Sequence, residues 1–133
     1  MKQVAILVLE TAVVESVADP RYMFTAVNEF LKSADKEPVF NVQLVGLTSE
    51  VRLADGLFSI HTDATLKDAR KPDIIFIPAI TPPLDRALKL NRDFLPWIVD
   101  QYKDGAEVAS LCIGAFLLAE TGLLNGKTCS THW

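Results

Sequence analysis

Three runs constrain this chain more than anything else in it: Val4-Ala-Ile-Leu-Val-Leu9, Ile74-Ile-Phe-Ile77 and Val108-Ala-Ser-Leu111. They lack the regular polar–apolar alternation of a strand that wets one face. Solid runs of strand length suit strands buried on both sides, as in a parallel sheet covered by helices. The segments between them have helical period. Asp19-Pro20 reads as an N-cap followed by proline at the first helical position. It predicts a helix to about Ser33 whose apolar stripe is Tyr22, Met23, Ala26, Val27, Phe30 and Leu31. Phe40 to Val45, ending at Gly46, reads as the second strand, and the alternation from Leu57 to Thr62 as a short or edge strand. Pro72-Asp73 stops a brief helical stretch, and Pro78 closes the strand that follows. Leu84 to Leu90 and Phe94 to Tyr102 read as helices, the second ended by Gly105 in a left-handed conformation. The Val108 strand runs without a spacer into a helix from Ile113 to Glu120. Gly122 and Gly126 then bracket a turn, and Cys129 to Trp133 begins one more extended segment. Repeated strand–helix–strand units predict an α/β fold: a doubly wound, mostly parallel sheet sandwiched by helices.

Composition narrows the function classes. The 133 residues are enough for one domain, and with 50% hydrophobic and 23% charged residues the chain is neither a disordered tail nor a linker. The net charge of −4 argues against a naked nucleic-acid binder, and the basic residues are interspersed with acids rather than gathered in a stripe. Two cysteines cannot form a disulfide scaffold and suit a reducing compartment. The longest apolar stretch, Val108 to Ala119, is interrupted by Ser110 and Gly114 and falls short of a membrane span. The expectation is a soluble, cytoplasmic protein with no membrane association. No glycine-rich phosphate loop occurs, so no cofactor is expected.

The most informative stretch is Glu107-Val-Ala-Ser-Leu-Cys-Ile-Gly-Ala-Phe-Leu-Leu-Ala-Glu120. A cysteine stands at a strand-to-helix junction with glycine two positions later, the layout of a nucleophile elbow. A thiol there faces a helix amino terminus, whose dipole and free N–H groups favour the thiolate. His132, on the next extended segment, can reach the same carboxyl edge and pair with Cys112 as base or counter-ion. Read without that partner, Cys112 is an inert core residue. A metal site through Cys112, Cys129 and His132 is not expected, because Cys129 and His132 point to opposite faces of a strand and no fourth ligand stands out. Cys129 reads as a packing residue, His61 as a surface histidine and Trp97 as a core anchor.

The segment Cys112-Ile-Gly-Ala-Phe-Leu-Leu-Ala-Glu-Thr-Gly-Leu-Leu-Asn-Gly126, ending Ser130-Thr-His-Trp133, resembles the DJ-1/PfpI-like (class I glutamine amidotransferase-like) amino-terminal domain of AraC-family transcriptional regulators. The opening strand, Asp19-Pro20 and Pro72-Asp73-Ile-Ile-Phe-Ile-Pro78 extend the resemblance along the chain. It implies a flavodoxin-like fold, with residues 1–133 as a sensing domain shorter than the family's and a helix-turn-helix DNA-binding module downstream. It also implies that Cys112 and His132 occupy the family's site positions. Ser16 stands where catalytic relatives carry an acid, and Ala79-Ile80 where many carry glycine in an oxyanion loop. Ser16, Ala79, Ile80, Cys112, Ile113 and His132 are therefore the candidate ligand-binding residues, with Cys112 and His132 the candidate catalytic pair. The leading expectation is a domain that senses a small-molecule effector, forms a homodimer, and meets DNA only through a module outside this chain. The alternatives are a free-standing enzyme of the same class (hydratase, amidase or glyoxalase-like) and a redox sensor acting through Cys112.

Overall fold

The computed structural model describes residues 1–132. Its centre is β1 (Lys2–Val8), whose residues Val4 to Val8 are all buried, as the solid run requires. On one side β1 pairs in parallel with β2 (Phe40–Gly46) over seven residues. On the other it pairs in parallel with β6 (Ile74–Ile77), which in turn pairs with β7 (Glu107–Ser110). A short β5 (Ala64–Thr65) adds to the far edge of β2, giving a five-stranded parallel sheet in the order β5-β2-β1-β6-β7. A separate antiparallel hairpin, β3 (Glu50–Leu53) with β4 (Phe58–His61), projects between β2 and β5 in the sequence.

The chain leaves β1 toward β2 through α1 (Val14–Ser33), and leaves β6 toward β7 through α2 (Leu84–Leu90) and α3 (Phe94–Lys103). Right-handed crossovers running in opposite directions put α1 on one face of the sheet and the α2–α3 pair on the other. Strand register assigns the faces. Phe76 is in register with Ile6, and Phe24 of α1 meets the Phe76 ring edge-on at 5.5 Å and the Phe40 ring at 4.8 Å. Ile75 and Ile77 alternate to the other face, where they are buried along with Phe94 and Ile98 of α3. The final helix, α4 (Ala115–Glu120), follows a 3-10 turn over Cys112–Gly114.

The sequence reading needs correcting at α1. The helix begins at Val14, ahead of Asp19-Pro20, and Pro20 lies inside it. Tertiary bonds set the earlier start: Val13 N–H donates to the Ala79 carbonyl, and the Ser16 amide and hydroxyl both donate to the Val13 carbonyl. The pinned loop enters helix at once, and the proline is tolerated in a well-packed interior although it removes one helical hydrogen bond. The stripe of Tyr22, Met23, Val27 and Phe30 is exposed; the helix docks through Val17, Pro20 and Phe24, and through Asn28, whose amide donates to the Phe40 carbonyl and accepts from the Val39 and Phe40 amides. The brief helix expected before Pro72 is a turn, and residues 127–132 join no strand ladder; Trp133 lies outside the described residues. His61 is exposed and Trp97 packs against the core, whereas Cys129 is exposed and fills no interior space.

Asp73, immediately before β6, ties that strand to β1 through both backbone and side chain. Its amide donates to the Gln3 carbonyl, and its carboxylate accepts the Gln3 amide at 2.7 Å, with Lys2 Nζ at 3.5 Å. The Gln3 amide, and after it the Lys2 charge, holds the Asp73 carboxyl below its ordinary range. A depressed folded-state pKa means that this bond contributes stability above the ordinary carboxylate pKa of about 3.9 and loses it as pH falls through the folded value. In urea denaturation across the acid range, Asp73→Asn is expected to lower stability at neutral pH and to flatten the acid limb relative to the parent protein.

Candidate functional site

The carboxyl ends of β1 and β6 lie where the sheet changes its winding direction, the usual place for a binding crevice in an open α/β sheet. Here the two loops are stitched together. Ala12 and Ile80 form an antiparallel bridge, Thr81 donates to the Thr11 carbonyl from both its amide and its hydroxyl, and Val13 donates to the Ala79 carbonyl. Thr11 has φ of 67°, a strained value for a β-branched residue, held by those bonds. Beneath the seam, Asn91 is fully buried at 0% exposure. Its Oδ1 accepts the Glu10 amide, and its Nδ2 donates to the Glu10 and Ala87 carbonyls. This clip anchors the start of the β1–α1 loop to the α2–α3 corner. Sequence reasoning missed it, since a lone asparagine after Leu90 looks like an ordinary helix terminus.

Cys112 sits at the end of β7 with φ of 51°, in the left-handed region, and it is exposed. Gly114 makes that turn possible. A Cβ added there would lie 2.3 Å from the Pro78 carbonyl oxygen and 3.1 Å from that of Ile77, both backbone atoms that cannot swing away. The strand-to-helix junction therefore presses directly on the end of β6, two residues from Ile80.

The structure brings some of the candidate residues together and separates others. Ser16 and Ala79 meet: the Ala79 amide donates to Ser16 Oγ at 3.0 Å, and Ser16 Oγ donates to the Val13 carbonyl at 2.6 Å. The hydroxyl is thus occupied as both donor and acceptor, and the amide expected to face an oxyanion is already bonded. Ala79 and Ile80 are 7% and 1% exposed, so their side chains belong to the core and only their backbone belongs to the crest. Ile113 is half-buried against the core. His132 is exposed; its neighbour Thr131 donates through Oγ1 to the Cys112 carbonyl at 3.0 Å, which brings the tail back to the cysteine. Among the described residues no hydrogen bond joins the Cys112 thiol to Ser16 or His132, and no group of three or more His, Cys, Asp or Glu side chains gathers as a metal cluster. Among the described residues no helix is long and apolar enough to cross a membrane.

Two recesses flank this crest. One, about 670 Å³, is lined by Glu10, Thr11, Arg52, Asp55, Thr81 and Arg86 among others, and the Thr11 hydroxyl beside it is buried without a hydrogen-bond partner. The other, about 880 Å³, runs along α1 from Ser16 to Phe30 over Phe40, Phe76 and Leu111. Sequence reasoning did not foresee the first recess, which needs the β3–β4 hairpin folded over the crest. Gly114→Ala is expected to cost about 1–3 kcal/mol of stability through the forced shift of the Pro78 backbone, read from denaturant midpoints.

A sequence model of the DJ-1/PfpI family matches residues 3–133. Among characterised proteins, the chain is 31% identical over 81 residues to the helix-turn-helix-type transcriptional regulator CdhR of Pseudomonas aeruginosa. That alignment covers 61% of this chain but 23% of the regulator, so the match spans about a quarter of that relative's length. Among solved structures, an AraC family transcriptional regulator from Pseudomonas putida superposes with a TM-score of 0.70 at 20% identity, covering 99% of this chain and 67% of that one. A protein described as a transcriptional regulator from Vibrio parahaemolyticus gives a TM-score of 0.77 at 21% identity, covering 94% and 63%. At such identities the structural likeness speaks for the fold, a parallel sheet between helices of flavodoxin-like type. The family match runs through almost the whole chain and includes the β1, β6 and Cys112 segments: this chain belongs to the DJ-1/PfpI family.

Proposed function

We propose that this chain is the small-molecule-sensing domain of a cytoplasmic transcriptional regulator, working as a homodimer, with DNA contacted by a helix-turn-helix module outside these residues. The observation that carries the reading is the bond between the Ala79 amide and Ser16 Oγ. In a hydrolase-like site that amide would be free to stabilise developing negative charge, and an acid would stand beside the thiol. Here the donor is taken up by a hydroxyl whose own proton is donated to the Val13 carbonyl. A site with an exposed cysteine and no hydrogen-bonded base is better equipped to bind than to turn over. The likeness to the CdhR regulator supports the same reading.

An effector held at the crest by Cys112, Ile113, His132, Ser16 and the backbone of Ala79-Ile80 would act on the seam between the loops after β1 and β6. A ligand shifts such an equilibrium only by its difference in affinity for the two states. The left-handed Cys112 at its strand-to-helix junction favours a second reading, an enzyme of the DJ-1/PfpI class with Cys112 as nucleophile.

Two measurements separate the readings. The 133-residue chain, at net charge −4, is expected to give no shift of DNA at low salt, while a protein carrying the additional module shifts its own upstream region. Sequence-specific binding by the chain alone would contradict the division of labour. Turnover of isocyanides, glyoxals and amides is expected to be negligible, and Cys112→Ser to leave any residual rate unchanged. Substantial Cys112-dependent turnover would favour the enzyme.

A further inference from the structure

The recess of about 670 Å³ beneath the β3–β4 hairpin holds charged groups that nothing in the fold uses. Its walls come from three stretches of the chain, residues 10–15, 52–58 and 81–90. It contains none of Ser16, Ala79, Ile80, Cys112, Ile113 and His132, the residues proposed to hold an effector beside the cysteine. Its volume is that of a pocket for a small molecule.

Two arginines meet there from separate elements, Arg52 from β3 and Arg86 from α2. Glu10, Glu15 and Asp55 line the same recess, yet no salt bridge among the described residues involves any of these five side chains. Groups of opposite sign thus border one cavity without neutralising each other. The hairpin turn sets the place of Arg52. Ala54 and Asp55 take left-handed φ of 50° and 53°, and the guanidinium lies over Gly56, its Nη2 3.7 Å from where a Cβ would stand. Left-handed backbone is costly away from glycine, so the surrounding structure holds this turn in place. The Thr11 side chain also lines the recess, and its hydroxyl is buried with no hydrogen-bond partner. Buried polar atoms are nearly always bonded, so this wall has a bonding capacity that the protein alone leaves unfilled.

The lining selects the ligand chemistry. Two guanidiniums favour a carboxylate, whose planar oxygens match the fork of an arginine. Three carboxylates against two guanidiniums leave the lining negative, which disfavours a doubly charged phosphate and favours an acid that brings donors of its own. Leu53, Phe58 and Leu90 offer apolar contact to a short carbon skeleton. We propose that the recess binds a small organic acid, its carboxylate held by Arg52 and Arg86 and its amino or hydroxyl group donating to Glu10 or Asp55. The Thr11 hydroxyl turns to bond the same ligand. The inference does not depend on the sensing function proposed for the Cys112 side of the seam and stands or falls separately from it.

The test titrates the 133-residue chain, labelled for amide NMR, with probes that share a four-carbon skeleton: γ-aminobutyrate, γ-hydroxybutyrate, butyrate and γ-aminobutyramide. The first two are expected to bind saturably, moving the amide signals of Thr11, Asp55 and Arg86, and the tighter of them tells whether an ammonium or a hydroxyl is preferred. Butyrate, which lacks the donor, should bind about fivefold more weakly, and γ-aminobutyramide, which lacks the carboxylate, should not bind. Arg52→Gln and Arg86→Gln should each weaken binding about tenfold. Both arginines are exposed, so an unchanged amide spectrum elsewhere would show that the fold is kept. Thr11→Val is expected to weaken binding while leaving the melting temperature unchanged or raised, because the hydroxyl it removes has no partner in the free protein. Three results would each overturn the proposal: no saturable shift with any probe, amide and acid binding alike, or parental affinity in the arginine variants. Parental affinity in Thr11→Val would overturn the part given to that hydroxyl.

Discussion

The architecture turns on the seam at the carboxyl ends of β1 and β6. From these adjacent strands the chain departs in opposite directions, through α1 on one face and through α2 and α3 on the other. Two loops leaving side by side would ordinarily open a crevice between them. In this chain the Ala12–Ile80 bridge and the bonds among Thr11, Val13, Ala79 and Thr81 close it. The Asn91 amide pins one loop from below, and the Gly114 backbone abuts the other through Pro78. The strained backbones of Thr11 and Cys112 lie on this seam or beside it. The surrounding structure holds such conformations in place, so the seam and the two helical layers stabilise each other.

Much of the sheet was legible because burial on both faces leaves a simple imprint. The runs at Val4, Ile74 and Val108 are strands, and their lack of alternation foretold parallel pairing; the run at Phe40 is a strand too, read from its length and composition. The β3 strand was not legible. Glu50 to Leu53 is four residues long, and its alternating Val51 and Leu53 form too short a pattern to separate from a loop. The α1 boundary was misread for a different reason. Asp19-Pro20 is a sound local start signal, but the bonds at Val13 and Ser16 come from residues more than sixty positions away and outweigh it. The exposed stripe on α1 shows the limit of periodicity. Spacing identifies a helix with an apolar side but cannot say whether anything in the chain covers that side.

At the site, the cysteine and its glycine were readable because their chemistry is local. A small residue two after the junction is needed for close approach, and Gly114 meets that need against Pro78. What Ser16 does was not readable. Its identity ruled out a shared-proton carboxyl group, but only the folded arrangement reveals that its hydroxyl accepts the Ala79 amide. Asn91 was invisible for a related reason. Its role depends on total burial between Glu10 and Ala87, and nothing in a Leu-Asn-Arg-Asp segment marks that burial.

The position of β1 has a consequence for how the protein comes into being on the ribosome. The strand made first is the one flanked on both sides in the finished sheet, and its second neighbour, β6, ends at Ile77. At about 5–20 residues per second, several seconds separate the appearance of the two. Throughout that interval an uncharged run of Val, Ala, Ile and Leu has one open edge and an uncovered face. Such a segment is of the kind that pairs with other chains when left exposed. Synthesis speed between β1 and β6, and the chaperones present during it, therefore bear on the yield of folded protein as does the stability of the finished sheet.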